Sequence, residues 1–305
     1  MPADNVRHIL LVTLSNIGDA VMTTPVMEAL HDSYPQAVMD IVTDPRSSLL
    51  FEHCPYRERL ILRDKRRGWH GTLALIKRLR RRHYDLIVDL RTDGLAWLLR
   101  AHRRLTRRGS KPAQGHAVER HMRVITRHEA MTDIPPTRLW LSATEHRFAQ
   151  QMLARLPGKR WLSMGPGANW GPKRWPVHGF IDLVTIMKAE FDAAVLLGGP
   201  DDESLCQKVA DSLSMPCLNL AGRTDLLQAA AILEHMRVFV GNDSGLGHLA
   251  AASGCPTVTV FGPGNPQRYH PWNPRGLWLR SRTRRLSDLS ATEVADAVTT
   301  LLDSK

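Results

Sequence analysis

No apolar run in this sequence approaches the ~18 residues needed to span a bilayer; Ile9–Val12 and Ala229–Leu233 are among the longest. The opening MPADNVRHILLVTL lacks a basic segment followed by an apolar stretch and a small-residue cleavage site, so no secretory signal is expected. Cysteine is scarce. Cys54, Cys206, Cys217 and Cys255 form no CxxC pair and no metal-ligand spacing, which predicts buried thiols of a reducing cytoplasm, not staples or ligands. GxGxxG and GxxxxGK[ST] are absent, as are helix-turn-helix, zinc-finger and RRM signatures.

What is present is a chain of 305 residues, 43% hydrophobic, with 40 Pro plus Gly. That composition excludes a disordered or collagen-like chain and suits about two domains. The formal net charge is +11, unevenly spread: residues 1–150 hold 25 Lys/Arg against 16 Asp/Glu. Between positions 57 and 108 the balance is 17 basic to 5 acidic, nearly all Arg. Such a face attracts nucleic acid, anionic lipid or phosphorylated glycan, or serves only as a solvated surface. Aromatics for stacking single-stranded bases are thin there: Trp69, Tyr84 and Trp97.

Strand patterns alternate with helical ones. His8–Leu14, Val38–Val42, Leu60–Leu62 and Leu86–Leu90 read as strands. Asp19–Tyr34, kinked or started late at Pro25, reads as a helix, as do Thr72–Arg82, Gly94–Arg104 and Ala117–Arg127. After the helix Ala143–Leu156 and the breaker Pro157-Gly158-Lys159, the alternation restarts. Strands are expected at Trp161–Met164, Ala193–Leu197, Cys217–Leu220, Val238–Val240 and Thr257–Phe261, and a last helix at Ser290–Leu302. Repeated βα units imply two mainly parallel sheets, with ligands at the carboxyl ends of their strands.

Four strand-end segments carry chemistry. Leu14-Ser15-Asn16-Ile17-Gly18-Asp19 offers a carboxylate near a helix start, where Asp also serves as a plain N-cap. The loop Gly165–Trp175 combines glycines with Lys173 and Arg174, a combination suited to phosphate. Asn242-Asp243-Ser244-Gly245-Leu246-Gly247-His248 opens a helix with small residues, a second diphosphate candidate. His248, alone on that helix, is more often a core histidine. Gly262-Pro263-Gly264 forms a rigid loop at a further strand end. Ala221-Gly222-Arg223-Thr224-Asp225 precedes a helix and could line a base pocket, or Thr224 or Asp225 could be its N-cap.

Three segments in order, SNIGDAVMTTPVMEAL, PGANWGPKRWP and VGNDSGLGHLAAASGCPTVTVFGP, resemble the ADP-heptose:lipopolysaccharide heptosyltransferase family, glycosyltransferase family 9, over nearly the whole chain. The resemblance implies an α/β GT-B fold: two Rossmann-like domains facing across a cleft, here residues 1–157 for the acceptor and 158–289 for the nucleotide sugar. Residues 290–305 would pack back toward the first domain, with a hinge near Pro157–Lys159. It implies an inverting, metal-independent transferase that needs no cofactor beyond its ADP-sugar substrate. Asp19 would be the general base, with Ser15, Asn16 and Gly18 beside it on the acceptor side. Lys173 would hold donor phosphate, and Asp243, Ser244, Gly245, Leu246 and Gly247 the sugar and diphosphate. Gly167, Asn169, Arg174, Thr224 and His248 complete the donor set. Relatives usually carry Thr at the position of Ser244, and many carry Ser or Met at that of Gly247. A phosphorylated lipopolysaccharide core as acceptor, a cytoplasmic location and contact with the anionic inner membrane follow from the same resemblance; nucleic acid does not. Alternatives are a transferase using another ADP- or UDP-sugar, a non-catalytic nucleotide- or glycan-binding relative, and a nucleic-acid binder built on the Arg runs.

Overall fold

The computed structural model describes residues 6–64, 66, 68–91, 94–107, 115–126 and 133–304. The chain divides into two compact units, Met1–Trp140 and Leu141–Lys305. In the first, a parallel sheet runs in the order β3-β2-β1-β4-β5, from β1 (His8–Val12), β2 (Val38–Thr43), β3 (Arg57–Leu62), β4 (Tyr84–Asp89) and β5 (Ala101–Thr106). Its helices are α1 (Ile17–Val21), α2 (Thr24–Ser33), α3 (Gly68–Leu79) and α4 (Ala117–Thr126). Continuous apolar runs make the central strands: Ile9, Leu10 and Leu11 are fully buried, as expected for strands covered on both faces.

The expected helix at 19–34 is two helices. Pro25 has no N–H to give and would clash with the carbonyl four residues back, so a new helix starts at Thr24 with Pro25 in its first turn. The hydroxyls of Thr23 and Thr24 donate to the carbonyls of Ala20 and Val21, which end α1. The expected helix 94–104 is a single 3-10 turn, Leu95–Leu98, followed by edge strand β5. Pairing with β4 overrides the local helical pattern, and the charged side chains of β5 suit an exposed sheet edge.

The second unit comprises α5 (Ala143–Leu153), β6 (Trp161–Gly165), α6 (Val177–Ile186), β7 (Ala193–Leu196), α7 (Glu203–Ser212), β8 (Cys217–Asn219), α8 (Leu226–Leu233), β9 (Val238–Asn242), α9 (Gly245–Ala252), β10 (Thr257–Phe261), α10 (Pro266–Tyr269), β11 (Gly276–Arg280) and α11 (Ala291–Asp303). Its six parallel strands run β11-β10-β9-β6-β7-β8. Strand β11 carries no strong sequence pattern and pairs on the edge of β10.

The domain limits differ from the sequence expectation. Helix α5 packs on α8, so the second unit begins at Leu141 instead of residue 158. Pro157–Lys159, the expected hinge, is a fixed turn inside that unit: Asp192 accepts from the backbone N–H groups of Lys159 and Arg160, at 3.0 and 2.9 Å. Hydrogen bonds from the Arg160 side chain and those N–H groups hold the Asp192 carboxyl down to about 2. Helix α11 belongs to the second unit, where Val294, Val298 and Leu301 join the core with Phe180, Leu183 and Val258. The four cysteines are free, and burial pushes their thiols up to about 11–12, as expected of inert thiols. Among the described residues no helix is long and apolar enough to cross a membrane.

Candidate functional site

In each sheet the strand order reverses direction beside the first strand, and such reversals open the crevice where α/β folds bind ligands. In the second unit the reversal lies between β6 and β9. Asn242, the fully buried last residue of β9, spans it. Its side-chain carbonyl accepts from the backbone N–H of Trp175 at 2.9 Å, and its amide donates to the carbonyl of Pro166 at 2.7 Å. Both ends of the loop after β6 are thereby fixed to β9. Trp175 adds an indole N–H donated to Leu289 at 3.0 Å.

That loop presents its cations to the same place. Lys173, in the turn Gly171–Lys173, stands 2.6 Å from the carboxylate of Asp243. Arg174 donates to the carbonyl of Ala168 at 2.9 Å and lies 3.9 Å from Asp202. Two glycines permit the closeness. A Cβ at Gly167 would overlap the Asp202 carboxylate, and one at Gly264 that of Asp243. Asp202 in turn accepts from Gly199 N–H at 3.1 Å, and Gly222, in the left-handed region at φ +70°, donates to Gly198 at 3.0 Å. The strand-end loops after β6, β7, β8, β9 and β10 are thus tied into one rim.

Helix α9 opens on this rim. Ser244 is its N-cap residue in extended conformation, yet its hydroxyl does not cap α9 and has no hydrogen-bond partner among the described residues. The first N–H groups of α9 therefore carry no side-chain cap, which leaves donors and the positive dipole end for an anion. Gly245 and Leu246 are half-buried there. Gly247 is buried, and a Cβ on it would stand 3.2 Å from Pro271 and 3.4 Å from Thr259, a tight fit. His248 is 6% exposed, a placement that favours the core reading. Asn169 is exposed on the rim. Asp225, not Thr224, caps α8 through a reciprocal pair with Gln228, leaving Thr224 half-buried beside it.

In the first unit the reversal lies between β1 and β4, and a side chain spans it too: Arg91, following β4, donates to the Ser15 hydroxyl at 2.7 Å. Asp89 accepts from the Arg91 N–H at 3.1 Å. Asn16 is the N-cap residue of α1 and does not cap it; its amide donates to Asp19 at 2.9 Å. Asp19 is half-buried at the third position of α1, and among the described residues Asn16 is its only hydrogen-bond partner. The N-cap alternative for Asp19 fails, since Asn16 holds that position. Gly18 is half-buried next to it.

Sequence reasoning gives no role to Arg91 and reads no bridge in Asn242 or in Asp202, whose acidic loop Leu197–Glu203 it offers as a ribose contact or a helix cap. Each acts through a partner on another loop, and only the strand order shows that the partners meet.

Residues 72–298 match the model of glycosyltransferase family 9 (heptosyltransferase). The chain belongs to this family. Among similar proteins, lipooligosaccharide heptosyltransferase 2 of Haemophilus ducreyi is 27% identical, over 89% of this chain and 88% of that protein. A family 9 glycosyltransferase structure from Veillonella parvula superposes with a TM-score of 0.88 at 22% identity, covering 100% and 99% of the two chains. The Escherichia coli heptosyltransferase WaaC with ADP-2-deoxy-2-fluoro heptose gives 0.73 at 21% identity, covering 96% and 99%. The protein is thus a family 9 glycosyltransferase of GT-B type fold.

Proposed function

We propose that this family 9 transferase moves a heptose from ADP-heptose to a hydroxyl of a phosphorylated lipopolysaccharide core, with inversion at the anomeric carbon. The tied rim of the second unit, where Lys173, Asp243 and the uncapped start of α9 meet, carries the reading, because a cation beside uncapped N–H groups suits a diphosphate. The relatives' names point to heptose and to lipopolysaccharide, and the bound ligand of the Escherichia coli enzyme points to an ADP-linked donor.

In this reading the acceptor hydroxyl loses its proton to Asp19, its oxygen bonds to the anomeric carbon, and the bond from that carbon to the phosphate oxygen breaks. ADP departs with the electron pair. Asp19 suits proton removal because, among the described residues, only one side chain hydrogen-bonds to its carboxylate. Lys173 and the N–H groups of Gly245, Leu246 and Gly247 would take up the charge growing on the diphosphate. Asp243 holds Lys173 in place and would contact the sugar. Thr224, Asn169 and Arg174 would line the rest of the donor site; Ser15, Asn16 and Gly18 would line the acceptor side. The basic excess of the first unit draws in the phosphorylated glycan. An acceptor anchored by lipid places the enzyme at the cytoplasmic face of the inner membrane.

A donor screen with delipidated core acceptor, read by mass spectrometry, tests the proposal. ADP-heptose alone should add one heptose to the acceptor. Transfer from a different nucleotide sugar would replace this donor assignment, and consumption of no donor would make the chain a binding relative.

A further inference from the structure

Most of the exposed large apolar side chains among the described residues belong to the first unit: Leu62, Trp69, Leu73, Trp97 and Leu98, against Trp170 and Ile186 in the longer second unit. Four of the five lie on α3 or on the turn Leu95–Leu98. These two elements cover one sheet face together, since Leu75 and Leu79 of α3 share a core cluster with Leu95 and Ala96. Along α3 and just past its end, Trp69, Leu73, Lys77 and Arg80 recur at helical spacing, on a stripe turned away from buried Leu75 and Leu79, with half-buried Ile76 packed against the core at its edge. Leu73, Ile76, Lys77, Arg80 and Arg81 line a shallow groove.

The charges on this stripe are unspent. Arg59 and Arg82 pair with Asp40 and Glu58, whereas Lys77, Arg80 and Arg81 make no ion pair among the described residues. The apolar tips beside them are held out, not frayed. Arg104 donates to the carbonyls of Ala96, Leu99 and Ala101 at 2.9, 2.7 and 3.1 Å, which fixes the turn that exposes Trp97 and Leu98.

We propose that this face docks the enzyme on an anionic phospholipid bilayer. Trp69, Leu73, Trp97 and Leu98 enter the headgroup boundary, where amphipathic rings and aliphatic tips lose water. Lys77, Arg80 and Arg81 pair with lipid phosphates. An aliphatic stripe has no use on a phosphodiester strand, and two copies meeting through this face would set like charges against each other. The proposal adds a surface to the membrane placement above, and it stands apart from the sugar chemistry because the test contains neither donor nor acceptor.

Flotation of the full chain with phosphatidylethanolamine/phosphatidylglycerol vesicles, with phosphatidylcholine vesicles as control, tests it. Binding should need the anionic lipid and fall with added salt. Replacing Lys77, Arg80 and Arg81 together by Gln should weaken it by roughly fivefold per cation removed. Trp69→Ala with Leu73→Ser should weaken the binding that survives salt. Both variants should keep the wild-type melting temperature and ADP affinity, since the replaced side chains face water. Equal binding to phosphatidylcholine, or undiminished binding in both variants, would overturn the proposal. So would a dimer dissolved by the apolar variant in a chain that ignores vesicles. Should a variant fold poorly, the wild-type chain decides alone: binding to anionic vesicles that salt fails to weaken overturns the proposal.

Discussion

In the proposed reaction Asp19 and Lys173 would divide the chemistry, and single substitutions would separate their parts. Asp19→Ala should lower transfer by about 10²–10⁴-fold, the usual span of a general base, while ADP affinity stays near wild type. Parallel loss of both, in a folded variant, would remove Asp19 from the base role. Lys173→Ala should weaken ADP binding and slow turnover together, because a cation on a diphosphate acts before and during bond breaking. The 2.6 Å pair with Asp243 adds a finer expectation. A free diphosphate must compete with that carboxylate, so Asp243→Asn should bind ADP alone several-fold more tightly while transferring heptose more slowly. Calorimetric titration with ADP checks both, and weaker ADP binding in Asp243→Asn would show that the carboxylate supports the phosphate site instead. Asn242→Ala should be the costliest change of the four for stability. It leaves the Trp175 N–H and the Pro166 carbonyl unpaired in a dry interior, at about 1–3 kcal/mol each, and frees the loop that carries Lys173. Thermal melting with and without ADP reads both effects; an unchanged melting point would demote the bridge.

At the scale of elements, the central strands and α9 are legible in the sequence because their signals are local: apolar runs of five or so residues, then small residues at a helix start. Legibility fails where a distant partner decides. Gly94–Arg104 holds a helical pattern, but β4 recruits its last residues into the strand β5. Gly276–Arg280 becomes β11 only because β10 offers an edge. The strand-end motifs themselves are readable as ligand loops; the bridges Asn242 and Arg91 are not, since each reaches a loop 67–76 residues away. Helix α4 carries a pH-dependent feature of its own. Burial, then the charges of Arg107 and His116, push the His121 ring down to about 4 from 6.5. Between those values the unfolded chain takes up the proton and the folded chain does not. The stability tied to the neutral ring is complete above pH 6.5 and drains away as pH falls toward 4. Urea unfolding at pH 7.5 and pH 5 should show a loss of roughly 2 kcal/mol from this group, and His121→Leu should show a shallower dependence. Equal slopes in the two proteins would mean that His121 is protonated in the fold.

Across the whole molecule, division of labour follows the charge and the topology. The first unit carries the basic excess and the Asp19 loop; the second carries five tied strand-end loops and the open start of α9. Each unit presents its candidate groups where its own strand order reverses, and the proposed reaction would use both sets. Nuclear magnetic resonance of the complete reaction tests this account most directly. With ADP-heptose and the core acceptor, it should show ADP and glycosylated acceptor appearing in equal amounts, with the new linkage of opposite anomeric configuration to the donor. A retained configuration, or ADP released with free heptose and an unchanged acceptor, would contradict a single displacement assisted by Asp19 and Lys173.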